Sequence, residues 1–158
     1  MVQFSISHIA NNDSLMTVVA NWSVIEWARD FPDDTIDTYL DLYRRAIATG
    51  NELPCVFVAT NDAGEPIGTV TLIDDDELPN AIEPGPWLAA LFVPPQFRQH
   101  GVGTALTKAV LHHARKLNHP AVYLYTEDKM AWYESMGWEK VRTSELSDHE
   151  VTVMKIEI

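Results

Sequence analysis

A single cysteine in 158 residues excludes an internal disulfide. Its setting, "LPCVFVA", makes Cys55 a small buried hydrophobe rather than a nucleophile. Cations are also scarce, with 11 Lys and Arg against 23 Asp and Glu, a formal net charge of −12. Phosphate backbones are bound by clustered Lys and Arg that release counterions, so no nucleic-acid partner is expected; an acidic field draws cations toward a cleft instead. Long apolar runs are missing. The longest, Trp87 to Val93, falls far short of the ~20 residues of a membrane helix. The stretch "MVQFSISHIANNDS" has neither a basic region nor an apolar core of the secretory kind, so the expectation is a cytoplasmic protein with no membrane partner. No repeat, low-complexity tract or Gly/Ser linker divides the chain, which reads as one domain over 1–158.

What is present reads as alternating elements. Phe4 to His8 alternate as a short strand, and Leu15, Val18, Val19, Trp22 and Ile25 recur at helical spacing after the capping candidates Asn12 and Asp13. "FPDDTIDTYLDLYRRAIATG" begins with Asp residues behind a proline, aligns Ile36, Tyr39, Leu40, Tyr43 and Ile47, and ends with Arg44, Arg45 and Gly50, predicting a second helix. "CVFVAT" and "IGTVTLI", joined by Asp62-Ala63-Gly64, read as a hairpin. The acidic, proline-bearing "DDDELPNAIEPG" is a solvated loop, and "PWLAALFV" is apolar enough for a strand buried on both faces. From Val102 an apolar stripe through Leu106, Ala109, Val110, His113 and Leu117 marks a helix that "NHP" ends before the strand "AVYLYT". A short helix at Met130 to Met136, then strands near Trp138 to Thr143 and His149 to Ile156, complete an α/β domain with a mixed sheet.

The chemistry centres on "VPPQFRQHGVGTAL", Val93 to Leu106. A dinucleotide fingerprint fails because position 106 is Leu and seven residues separate Val93 from Gly101; a P-loop fails for want of a Gly-Lys-Ser/Thr ending. What remains is a helix N-terminus, whose unpaired amides carry roughly half a positive charge, with glycines that let a phosphate approach and Arg98 and Thr104 beside them; the alternative is that Gly101 and Gly103 only relieve crowding where the loop enters the helix.

The pattern Arg98-Gln-His-Gly101-Val-Gly103, following Phe92-Val93-Pro94 and followed by "AVYLYT" and "AWYESMGWEK", resembles the signature of the GNAT superfamily of acetyl-coenzyme A-dependent N-acetyltransferases. The resemblance is strongest from about Trp87 to Glu139. It implies a mixed, mostly antiparallel central sheet flanked by helices, and acetyl-coenzyme A as co-substrate. It also implies that backbone groups of Leu91, Phe92 and Val93 take the pantetheine arm, and that Arg98, Gln99, His100, Gly101, Val102, Gly103 and Thr104 wrap the pyrophosphate. Tyr133, ahead of Gly137 and Trp138, matches the family's general acid near the thioester sulfur; without the resemblance, packing beside Trp132 and Trp138 would account for it. A phenol titrating near ~10 stays protonated while a thiolate of conjugate pKa about 8.5 departs.

The usual strand glutamate is replaced here by Trp87. Glu26, Asp30, Glu83 and the acidic run Asp74 to Glu77 are the candidate bases or cation-attracting groups, with a water chain as the alternative. Glu26 and Trp87, the latter with Trp22 or Trp27, are the candidate acceptor-binding residues. His112 and His113 are adjacent on a helix, point apart, and form no helical metal pair, so no metal centre is expected. The expectation is acetyl transfer to a primary amine of a small, cationic acceptor, by a monomer or homodimer. The alternative is a non-catalytic acyl-coenzyme A-binding or regulatory module of the same fold.

Overall fold

The structure, a computed structural model, describes residues 2–158. In chain order it runs β1 (Phe4–His8), α1 (Asp13–Glu26), α2 (Ile36–Ala48), β2 (Cys55–Asn61), β3 (Pro66–Ile73), β4 (Trp87–Phe92), α3 (Val102–Lys116), β5 (Ala121–Thr126), α4 (Met130–Glu134), β6 (Glu139–Leu146) and β7 (His149–Glu157), with a 3₁₀ turn at Pro95–Phe97 before α3. The first two helices start on side-chain caps. Asn12 accepts the Leu15 amide, and Thr35 and Thr38 form a reciprocal capping box. This starts α2 later than the Asp residues suggest: Asp33 and Asp34 precede the cap. The third helix starts at Gly101 with no side-chain cap at all.

The strands form one sheet in the order β1-β2-β3-β4-β5-β7-β6. Every neighbouring pair is antiparallel except β4 and β5, which are parallel. Side chains alternate across it as a period of two requires. Val56 and Val58 of β2 pack with Met16, Val19 and Ala20 of α1 and Tyr43 and Ala46 of α2. Cys55, Phe57 and Ala59 point the other way and join Leu106, Val110 and Ala114 of α3, together with Tyr133 and Trp138. A third cluster, Leu78, Trp87, Tyr123, Leu146, Val151 and Val153, lies where the acidic loop folds over β5 and β7.

One helix face differs from expectation. In α1 the buried residues are Met16, Val19, Ala20 and Ser23, while Val18 and Ile25 are 43% and 68% exposed. The helix is apolar nearly all round, so spacing alone does not choose a face; the small Ala20 and Ser23 allow the closer approach and are the ones that dock.

The position of the site follows from two irregularities in β4. First, Thr69 pairs with Phe92 and Thr71 with Ala89, so β4 spends three steps where β3 spends two. This one-residue bulge carries Ala90 at φ 52. Second, β4 and β5 are paired only at Trp87 and Tyr123. Beyond that point the two strands part.

Candidate active site

The parting of β4 and β5 opens a cleft of about 1660 Å³, lined by Leu88 to Val93 on one side and Tyr125 to Lys129 on the other. The start of α3 forms part of its wall. Gly101 holds φ 82, a left-handed conformation that costs a residue with a Cβ roughly 1–2 kcal/mol. With no side chain capping the helix, the amides of Val102, Gly103 and Thr104 have no intrahelical partner, and these residues line the cleft. The first bond of the helix is made by the Ala105 amide to the Gly101 carbonyl. A Cβ on Gly103 would lie 3.4 Å from the Trp132 ring, so the loop and α4 touch at this glycine. Arg98 donates from Nε to the Val93 carbonyl at 2.7 Å and its guanidinium lies over Phe92, which fixes the arm; its Nη groups have no hydrogen-bond partner among the described residues.

The lining is also rich in acids. Glu26, Asp30, Asp34, Asp41, Asp74, Asp75, Asp76, Glu77, Glu127 and Asp128 belong to it, against Arg29, Arg45, Arg98 and Lys129. Desolvation, followed by the charges of Glu77 and Asp75, pushes the Asp76 carboxyl well above the usual carboxylate range. A cation entering here relieves that crowding. The Tyr125 hydroxyl donates to the Asp76 carbonyl at 3.1 Å and ties the acidic loop to β5.

A network within this lining joins distant parts of the chain. Arg29 Nη2 donates to Glu127 Oε2 at 2.6 Å, and His149 Nε2 lies 2.9 Å from Asp30 Oδ1. Arg29 Nη2 is also 2.8 Å from His149 Nε2. One ring nitrogen cannot accept from the guanidinium and donate to the carboxylate together. Asp30 is the partner that fits, since its side chain is only 9% exposed and Arg29 already has Glu127. The hydrogen bond to Asp30 raises the His149 pKa above its ordinary value. Desolvation would raise Asp30, but hydrogen bonds from His149, Arg29 and Ser147 outweigh it and hold the carboxyl low. The Nε2–H donated to Asp30 leaves Nδ1 as the lone-pair nitrogen, buried, without a hydrogen-bond partner among the described residues, and 3.6 Å from Glu127 Oε1.

Tyr133 lines the cleft beside Trp132, 7% exposed, with its ring edge-on to both Trp132 and Trp138. Burial raises its pKa far above neutrality, so the phenol keeps its proton at any working pH.

A sequence profile of the acetyltransferase (GNAT) family matches residues 18–138. The chain belongs to this family. GNAT structures also share its fold: an aminoglycoside 6'-acetyltransferase type Ii (19% identity, 97% of this chain and 96% of that one, TM-score 0.75) and a spermidine N-acetyltransferase from Vibrio cholerae in complex with CoA and spermine (19% identity, 98% and 95%, TM-score 0.71). A Staphylococcus aureus Mu50 acetyltransferase of the GNAT family is similar at 20% identity, 97% and 99% coverage and a TM-score of 0.69. A search of curated protein sequences finds no match.

Against this GNAT frame, Leu91, Phe92, Val93, Arg98, Gln99, Gly101, Val102, Gly103, Thr104, Tyr133 and Glu26 all line the one cleft, whereas His100 does not. Two acceptor-side expectations are corrected. Trp87 is 2% exposed, packs on Tyr123 and Tyr125 within the third cluster, and is not part of the lining, because β4 is still paired on both sides there. Glu83, 5% exposed, is clamped by Arg142 through two hydrogen bonds of 2.8 and 2.9 Å, which fixes it away from the cleft. His149, Arg29, Glu127 and Trp132 also belong to the cleft lining, and no sequence pattern marks them for it. His149 follows "LSD" in a tight turn between β6 and β7, a pattern that signals a turn and nothing of the Asp30 partner 119 positions away.

Proposed function

We propose that this GNAT domain moves an acetyl group from acetyl-coenzyme A to a primary amine of a small cationic acceptor, by direct transfer in a ternary complex. The observation that carries this reading is that one cleft is lined both by the uncapped start of α3 and by an excess of carboxylates over Lys and Arg. When bound, acetyl-coenzyme A supplies an acyl thioester that is already activated, so no nucleophile of the chain is needed. The amides of Val102, Gly103 and Thr104 and the Arg98 guanidinium suit its pyrophosphate, with Gln99, His100 and Gly101 shaping the loop, and the backbone of Leu91 to Val93 suits the extended arm.

In the same cleft Glu26, Asp30, Asp34 and the Asp74–Glu77 run hold the cation. Aminoglycosides and spermine, named for two of the similar structures, are polyamines of this kind. An alkyl ammonium titrates near ~10.4 and must lose a proton before it can attack. His149 is the proposed base: Asp30 fixes its tautomer and stabilises the charge it gains, as the acid does in a Ser-His-Asp triad, and its buried Nδ1, with no hydrogen-bond partner among the described residues, carries the lone pair. Tyr133, kept protonated by burial, is the proposed acid that protonates the departing thiolate. The enzyme is proposed to work in the cytoplasm as a monomer or homodimer, and its net charge of −12 disfavours nucleic acid and an anionic membrane surface as partners.

The test is release of free coenzyme A from acetyl-coenzyme A with a panel of polyamines, aminoglycosides and neutral amines. Turnover with polycations is the expected result. Tight acetyl-coenzyme A binding with no turnover on any amine would point to the non-catalytic module instead. The Gly103→Asp variant places a side chain and a negative charge among the amides. It is expected to weaken coenzyme A binding at least tenfold in titration calorimetry, and unchanged binding by the folded variant would remove the pyrophosphate from α3.

A further inference from the structure

The two adjacent histidines of α3 do point apart, yet one of them meets ligands from elsewhere. His112 is exposed, while His113 is 8% exposed and turns into the sheet, where it reaches His8 at the end of β1 and Cys55 at the start of β2. None of the three lines the cleft. His113 lies 11 residues along α3 from Val102, about 16 Å from the amides that begin the helix. We propose that His8, Cys55 and His113 form a binding site for a divalent transition metal ion of the zinc type, separate from the acetyl-transfer cleft.

The geometry is that of an open, three-ligand site. One ligand atom from each residue lies within 4.8 Å of the other two, and His8 Nδ1 is 3.4 Å from Cys55 Sγ. Metal bonds of about 2.0–2.1 Å to nitrogen and about 2.3 Å to sulfur put tetrahedral ligand atoms roughly 3.3–3.6 Å apart. The His8–Cys55 edge already has that length, and the other edges close with shifts on the order of 1 Å. The rings are set by their neighbours. His8 stacks on Phe57 with centroids 4.6 Å apart, and His113 meets both rings edge-on.

The surroundings match what a metal-bound imidazole needs. His113 donates Nε2–H to the Asn51 carbonyl, the backbone hydrogen bond that fixes the tautomer of a ligating histidine and leaves Nδ1 with the lone pair. Asn51 also carries a buried Oδ1 with no hydrogen-bond partner among the described residues, an acceptor available to a metal-bound water. Burial, then the nearby His113 and Lys116, lower the His8 pKa and keep its ring neutral, the ligating form. Burial pushes the Cys55 thiol up to about 12, so without metal the sulfur keeps its proton. Binding must therefore release that proton to solvent, while sulfur and both nitrogens each donate an electron pair to the ion. One thiolate and two imidazoles suit zinc and its analogues, with the fourth position left to water.

The experiment uses the full chain, stripped with a chelator and titrated with Co²⁺, then Zn²⁺. The expected result is one Co²⁺ per chain, a near-ultraviolet thiolate-to-cobalt charge-transfer band, strong visible bands of tetrahedral coordination, and displacement by Zn²⁺. Zn²⁺ calorimetry in buffers of different ionisation enthalpy should show close to one proton released per ion near neutral pH. Cys55→Ser should abolish the charge-transfer band, and His113→Gln should weaken Zn²⁺ at least tenfold, with acetyl-coenzyme A binding kept as the check on folding. Absence of the thiolate band at saturating Co²⁺ in the unaltered chain overturns the proposal, as does Zn²⁺ binding that Cys55→Ser leaves unchanged. The unaltered chain decides the matter even where a variant fails to fold.

Discussion

In the proposed reaction, burial at Tyr133 and the Asp30 hydrogen bond at His149 divide the acid–base work between two side chains. Tyr133 loses water on every side but the cleft, and the cost of a buried phenolate keeps it a donor. General acids of this type contribute roughly 10²–10⁴ in rate. Tyr133→Phe preserves the ring that packs on Trp138, so it should lower kcat at least tenfold and leave the acetyl-coenzyme A dissociation constant within a factor of two; an unchanged kcat removes Tyr133 from the acid's role. His149 faces Asp30, Arg29 and Glu127, with Asp148 and Glu150 as its chain neighbours. Asp30 raises its pKa, so the neutral base prevails only above the ordinary value of 6.5, and kcat/KM should rise as pH climbs through that raised pKa. His149→Gln should flatten this limb of the profile while keeping acetyl-coenzyme A binding. A limb that survives the substitution belongs to another group, the substrate amine included.

Glu83 and Arg142 decide how the acidic loop is held between elements. The pair joins the segment between β3 and β4 to the edge strand β6, and Glu83 is almost wholly buried. Arg142→Met leaves a buried carboxylate without its partner and should cost about 3 kcal/mol. The Arg142 hydrogen bonds hold the Glu83 pKa below 4.5 against desolvation. The stabilisation is therefore complete above pH 4.5 and is lost as pH falls through the lowered folded value. Thermal melts across acid pH should show the two proteins converging there; a gap independent of pH would assign the loss to packing. The elements themselves were legible, because turns, caps and the two periods of strand and helix are local. β4 announced itself by being apolar throughout, and the glycines marked the start of α3. The docked face of α1 was not legible, since an all-apolar helix leaves the choice to its partner. Nor were the His149–Asp30 pair and the His8–Cys55–His113 group, whose members meet only through the strand order.

Net charge acts on the whole molecule, and here it pulls the two substrates in opposite directions. On the proposed function, a charge of −12 attracts a polycationic acceptor and repels the polyanionic coenzyme A, whose binding then depends on short-range contacts with the α3 amides and Arg98. Salt screens the long-range field first: the screening length falls from about 30 Å at about 0.01 M to about 3 Å at about 1 M. Across that range KM for a polyamine should rise at least fivefold, and KM for a monoamine should rise much less. KM for acetyl-coenzyme A should stay level or fall, because screening removes a repulsion along with an attraction. Steady-state kinetics at several ionic strengths, with each substrate varied in turn, measures all three slopes. A polyamine KM that does not respond to salt would leave the acidic lining as a solubilising surface and move the acceptor site elsewhere in the cleft. An acetyl-coenzyme A KM that climbs in step with the polyamine's would mean that coenzyme A responds to nearby cations such as Arg98 rather than to the net negative field.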